Sequence, residues 1–264
     1  MRGLWGTVFT IALVGGSSSS WAADLPEIEK SGRLRVVAGS GEQPEMFSFR
    51  SGSDPGFERE LLEGFARLHG LKLEVTAVKS WDERIPTLLR GDGDVIIGIV
   101  DTEQRRKQIA FTSEVLPARH LVVTARPYKV IATVEELRGE KVGVVRGTSW
   151  AQAALEAGVP ADQVEPYPDT EPVLAALRSG EVTATVMALN DFTLATKRHP
   201  ELQAGTFLGP PGRAAWGLRK SDTKLQAALD EYLGNVRRTP TWGRLVVKYF
   251  GEKALVILGK VQTP

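Results

Sequence analysis

Cysteine is absent from the 264-residue chain. That excludes disulfides, thiolate nucleophiles, iron–sulfur ligation, Cys-based zinc sites and the cysteine that a lipoprotein anchor needs. Histidine is scarce: His69, His120 and His199 stand far apart without ligand spacing, so no metal or other cofactor is expected. A surplus of one charge is also missing, because 33 basic residues face 32 acidic ones and the formal charge is +1. Neither nucleic acid nor an anionic membrane surface is an expected partner of so balanced a chain. No apolar run reaches the ~20 residues that span a bilayer. With 42% hydrophobic and 25% charged residues, what remains is a soluble globular protein with room for a core.

The N-terminus reads as an address. Arg2 precedes an apolar run from Leu4 to Val14, and small residues lead to Ser20-Trp21-Ala22-Ala23. This is the order of a secretory signal peptide over 1–23, with cleavage expected near Ala22 or Ala23 and an extracytoplasmic, periplasmic location.

From Arg33 onward, run-like apolar segments alternate with segments of helical period. LRVVAG reads as a strand, FERELLEGFARLHG as a helix and LKLEVTAV as a strand. In that helix Phe57, Leu61, Leu62, Phe65 and Leu68 form one stripe, and Gly70 stands where a C-terminal cap is expected. The helix WDERIPTLLRGD, the strand DVIIGIV and the polar turn DTEQRRKQ follow. A second series starts after HLVVTARP and runs TVEELRG, EKVGVVRG, TSWAQAALEAG, VEPYP, TEPVLAALRSG, VTATVMA and NDFTLATKRHP. Two closing helices broken at Pro240 end the pattern. Short apolar strands alternating with helices predict α/β lobes with largely parallel sheets. Extended passages near His120–Arg126 and Ala214–Arg219 bracket the second series, so two crossovers are expected to form a hinge over a cleft. The expected division is 24–124 with 217–264 as the first lobe and 125–216 as the second.

The segments LRVVAG, PGFERELLEGFARLHGLKLEV, SWDERIPTLLRGDGDVIIG, TEQRRKQIAFT, KVGVVRGTSW and VLAALRSGEVTATV, in this order, resemble the extracytoplasmic solute-binding proteins of family 3, the amino-acid-binding type. The resemblance spans about Leu34 to Gly251. It implies a two-lobed periplasmic binding protein-like fold of type II, each lobe a mixed or parallel sheet flanked by helices. It also implies a monomer that binds one small ligand by hinge closure, without catalysis, and delivers it to an ABC transporter permease.

The resemblance places Arg105 where relatives keep the arginine that clamps a ligand carboxylate. A guanidinium suits that task because its planar fork matches a carboxylate and never loses its charge. Thr102 would add a hydroxyl beside it, and Gly98, ending an apolar strand, would let a ligand approach the main chain. Thr148 and Ser149 open a helix whose free N–H groups favour an anion, although a plain Ser/Thr cap reads the same way. Trp81 is placed as a platform for the ligand and Phe47 as a cleft-lining ring, each with a core role as the competing reading. Trp150, Trp216 and Trp242 read as structural.

The pattern also breaks. Relatives that bind α-amino acids keep an Asp where this chain has Ala188, leaving Asn190 and Asp191 as candidate polar partners. Pro44 replaces an aromatic. The ligand is therefore expected to be an amino acid held unusually, or a small carboxylate without an ammonium. Two further relatives provide alternatives: a cyclohexadienyl-dehydratase-like enzyme with its acid near Asp191, and the sensor-like module of membrane-bound lytic transglycosylases, which the segment KRHPEL resembles.

Overall fold

A computed structural model describes residues 24–50 and 52–252 of the chain. The signal-peptide reading of 1–23 lies outside the described residues. The first half contains α1 (Leu25–Ser31), β1 (Arg33–Gly39), α2 (Phe57–Leu68), β2 (Lys72–Val78), α3 (Arg84–Leu89), β3 (Val95–Val100), α4 (Glu103–Arg106) and β4 (Ala110–Phe111). After β5 (Leu116–Ala125) come α5 (Val134–Leu137), β6 (Val142–Val145), α6 (Ser149–Glu156), β7 (Val164–Tyr167), α7 (Thr170–Ser179), β8 (Ala184–Ala188) and α8 (Leu189–Arg198). The chain then returns through β9 (Leu202–Leu218) and closes with α9 (Thr223–Arg237) and α10 (Pro240–Phe250).

The strands form one continuous sheet in the order β2-β1-β3-β9-β5-β8-β6-β7, with β4 also paired to β9. β1 pairs in parallel with β2 and β3, and β6 pairs in parallel with β7 and β8. Each series of α/β units thus has its own parallel sheet, as the apolar strands predict. β5 and β9 run antiparallel to each other through the middle, and their register shifts between Ala118 and His120.

Burial falls into three clusters, one of them formed by Val37, Val78, Leu88, Ile96, Ile99, Ile109, Phe111 and Ala215. Leu34, Val36, Phe57, Leu61 and Phe65 pack with Leu229, Leu233 and Phe250 in the first of the other two. Val142, Val144, Leu174, Leu177 and Val186 pack in the second. The two crossover strands contribute to both of these clusters. Leu121, Val122 and Val123 join the second cluster, while Ala214 and Trp216 join the first.

Local signals act where expected, with two departures. Gly70, at φ +64°, lets the chain turn so that Leu71 N–H donates to Ala66 O at 2.8 Å. Leu68, read as part of the α2 stripe, is 73% exposed because the helix ends there, and Glu58 and Ala66 are buried instead. The polar turn after β3 contains the single helical turn α4, capped by Thr102. That turn sets the direction of Arg105.

Candidate functional site

The two halves close on a cleft with two adjoining compartments, each of about 40 Å³. Arg105, Gly98 and Glu58 from the first half face Thr148, Ser149 and Asn190 from the second in one compartment. The other is bounded by Arg84, Gly39, Gly41 and Lys79 on one side and by Asp169 and Thr170, at the start of α7, on the other. Glu42, Trp81, Trp150 and Asp191 line both.

Arg105 spans the cleft. Its backbone N–H donates to Thr102 Oγ1 at 3.3 Å, its Nη1 to Val100 O at 2.8 Å and its Nη2 to Gly147 O at 3.0 Å. Burial, and then the neighbouring Arg84 charge, push its pKa down to about 10. It therefore stays cationic at neutral pH. A desolvated guanidinium held, among the described residues, only by backbone carbonyls has unspent attraction for an anion. Opposite it, Thr148 caps α6 by accepting from Trp150 N–H at 3.2 Å and donating to Val145 O at 2.7 Å. The N-terminus of α6 then adds its partial positive charge to the same space.

Glu58 has the strongest electrostatic perturbation in the cleft. It is 1% exposed, and its Oε2 accepts from Gly98 N–H at 3.0 Å and Trp216 Nε1–H at 2.9 Å. Burial, reinforced by the Glu42 charge, pushes its pKa up to about 8, and Asp191 is pushed up to about 7 by the same two causes. The folded state thus holds a proton on Glu58 that an unfolded chain releases above its ordinary 4.5. Stability from that proton is complete below pH 4.5 and is lost as pH rises toward 8. Glu58→Gln keeps an acceptor for Gly98 and Trp216, so the variant is expected to lose this downward slope and to melt higher than wild type near pH 8. Asp191 contributes a slope of the same sign that the variant retains. Thermal melts between about pH 4 and 9 check this, and an undiminished slope in the variant removes Glu58 as its source.

Arg84 is 2% exposed, stacks its guanidinium 3.4 Å from the centre of the Trp81 ring and pairs with Glu42. Its Nη1 donates to Ile97 O at 3.1 Å. Gly39 makes room for it, since a Cβ there would meet Arg84 Nη2 at 2.5 Å. Across the cleft, Asp191 Oδ1 accepts from Asn190 Nδ2 at 3.3 Å and from Gln43 Nε2 of the other half at 3.4 Å.

The sequence-predicted residues are thus divided. Trp81, Gly98, Arg105, Thr148, Ser149, Asn190 and Asp191 meet at the cleft. Thr102 does not line it; its side chain caps α4 and borders a separate groove with His120 and Glu156. Phe47 is fully buried in the first core, its ring 5.5 Å from that of Phe49, so its place as a cleft-lining ring is corrected to core. Trp150, read as structural, lines the cleft as well as packing into the second core. Glu42, Glu58, Arg84 and Asp169 were not singled out. Only Glu58 carried a signal, as an acid on the apolar stripe of α2 with Leu62 and Phe65 one and two turns on. His120 donates to or accepts from Ser149 Oγ at 2.7 Å, and its pKa is pushed down to about 4 by burial and by Arg105, so it is neutral. Among the described residues no cluster of three or more His or acidic side chains is placed to hold a metal ion.

The family model for bacterial extracellular solute-binding proteins, family 3, matches residues 34–252. Holo ArgBP from T. maritima is 26% identical, with a TM-score of 0.72 over 86% of this chain and 99% of that one. An ancestral arginine-binding protein bound to arginine is 28% identical, with a TM-score of 0.73 over 83% and 99%. The ancestral amino acid-binding protein AncCDT-1, described as a precursor of cyclohexadienyl dehydratase, shares the fold at 24% identity, with a TM-score of 0.73 over 85% and 98%. Among curated proteins, membrane-bound lytic murein transglycosylase F of Stutzerimonas stutzeri is 26% identical over 94% of this chain and 52% of its own length. The chain therefore spans about half the length of the curated relatives it matches. With its two-lobed periplasmic binding protein fold and a family match over nearly all described residues, the chain belongs to the family 3 extracellular solute-binding proteins.

Proposed function

We propose that the protein captures a small carboxylate-bearing ligand, an amino acid first among them, by closing its halves, and hands it to an ABC importer outside the cytoplasm. The observation that carries this reading is the Arg105 guanidinium reaching across the cleft to Gly147 O beside the N-terminus of α6. An anion placed there would be held by Arg105 from one half and by helix N–H groups from the other, so binding and closure would stabilise each other. Asp191, with Asn190 beside it, supplies an acceptor for an ammonium group. The amino-acid-binding proteins of the same fold support the ligand class. The N-terminal segment Met1–Ala23 supports export, with cleavage near Ala22 or Ala23, and the working form is taken to be a monomer that meets a permease.

A panel of amino acids, small carboxylates and peptidoglycan fragments tested by thermal shift examines the reading, because a ligand that binds only the folded state raises Tm. A carboxylate at a hundred times its Kd is expected to add about 2.7 kcal/mol of stability. The likeness to lytic murein transglycosylase F favours a second reading, a sensor module responding to a cell-wall fragment. Stabilisation by peptidoglycan fragments alone selects that reading. In both readings the protein binds without catalysis, and no turnover of prephenate or arogenate is expected.

A further inference from the structure

Helix α8 follows β8 in the second half, yet it turns a different face to each half. Leu189, Phe192 and Ala195, spaced by three, pack against the second core. Asp191, Leu194, Lys197 and Arg198 recur at three and four residues on the other side of the helix. All four reach the first half. Leu194 is fully buried in the first cluster. Lys197 Nζ donates to Tyr249 O at 3.0 Å, Arg198 Nη2 to Gln43 Oε1 at 3.3 Å, and Gln43 Nε2 to Asp191 Oδ1 at 3.4 Å.

Two of these contacts have a physical reason to be strong. Tyr249 lies in the last turn of α10, where carbonyls lack helical partners and the dipole end is negative, so an ammonium is favoured there. Leu194 is apolar, and drawing it out of the first cluster returns a whole leucine side chain to water. Each of these contacts joins protein to protein. The set therefore forms whenever the halves meet.

We infer that α8 is a clasp whose own contacts draw the halves together, so that the molecule shuts for part of the time before any ligand arrives. The clasp goes beyond the capture reading, because it concerns the balance between open and shut forms and not the chemistry of the ligand. Its outer residues, Lys197 and Arg198, line neither compartment of the cleft. Affinity is then set in part from outside the site, since the apparent Kd is the intrinsic one divided by the fraction of molecules already shut.

The lack of cysteine makes a distance measurement clean. Lys72→Cys on β2 and Glu165→Cys on β7, both exposed and on the two edge strands of the sheet, place one spin label on each half. In the ligand-free protein, pulsed electron resonance is expected to show a shorter and a longer distance. Adding Lys197→Met should lower the ratio of short to long at least about tenfold, the worth of one hydrogen bond to a charged group. Arg198→Ala, at an exposed contact, should lower it about twofold, and it carries the test if Lys197→Met fails to fold. No short distance in the wild type, or the same populations in the variants, overturns the clasp. No ligand enters this measurement, so its outcome is independent of the Arg105 reading. Titration with L-arginine and L-glutamine adds the link to binding: a loss of affinity matching the loss of shut molecules supports it, and an unchanged Kd beside a reduced shut population overturns it.

Discussion

Replacing Arg105 with alanine is expected to weaken binding of the best carboxylate ligand by at least about thirtyfold, the equivalent of about 2 kcal/mol for truncating one member of a desolvated charge pair. The guanidinium is largely desolvated, cationic and, among the described residues, bonded only to the carbonyls of Val100 and Gly147. Removing it also removes a desolvated charge, so the unliganded variant should melt close to wild type. Arg105→Lys keeps the charge but loses the planar fork, and it should fall between the two. Titration calorimetry with parallel melts separates binding from folding, and an unchanged Kd in Arg105→Ala rejects this residue as the anchor.

An effect of similar size is expected at a residue that touches no ligand. Gly147 has φ +76°, and a Cβ there would lie 2.7 Å from Asp82 N and 3.1 Å from Asp82 Cα across the cleft. Both atoms belong to backbone, so neither can turn away. Gly147→Ala therefore meets two obstacles: a left-handed conformation costing about 1 kcal/mol for an L-residue, and a collision that exists only when the halves are shut. Ligand affinity should fall about a hundredfold, or about 3 kcal/mol, by the loss of closure. Small-angle scattering checks the mechanism: wild type should contract with saturating ligand and the variant should not. Normal contraction in the variant would show that the halves meet elsewhere.

Legibility in the sequence followed the kind of force at work. Period and apolarity report burial, so the α/β units, the two series and the closing helices could be read before any coordinates. Arg105 stood out only through the family resemblance, since Glu-Gln-Arg-Arg-Lys by itself reads as a solvated basic turn, and Thr148 read equally as an ordinary helix cap. Arg84 did not stand out, because a charged residue in the first turn of the helix WDERIPTLLRGD reads as part of a solvated helix end. Its burial depends on Gly39 leaving a space, on the Trp81 ring beneath it and on Glu42 from another loop. Such a constellation exists only after folding brings distant segments together. Phe47 and Trp150 were exchanged for a related reason: an aromatic ring in a loop or first helical turn can face a core or a cleft, and its own sequence does not distinguish them. Asp191 follows Ala188 by three residues, in the first turn of α8, and lines the cleft.

The central strands carry one more implication. β5 and β9 belong to the sheets on both sides and remain hydrogen-bonded to each other where the chain crosses. In the reading proposed above, opening of the halves would twist a two-stranded ribbon instead of swinging on free linkers, so the stiffness of that ribbon would set part of the energy of closure. Its ladder is interrupted twice, between Ala118 and His120 and between Leu121 and Val123, and amide exchange with deuterated solvent should be fastest along β5 at these two places.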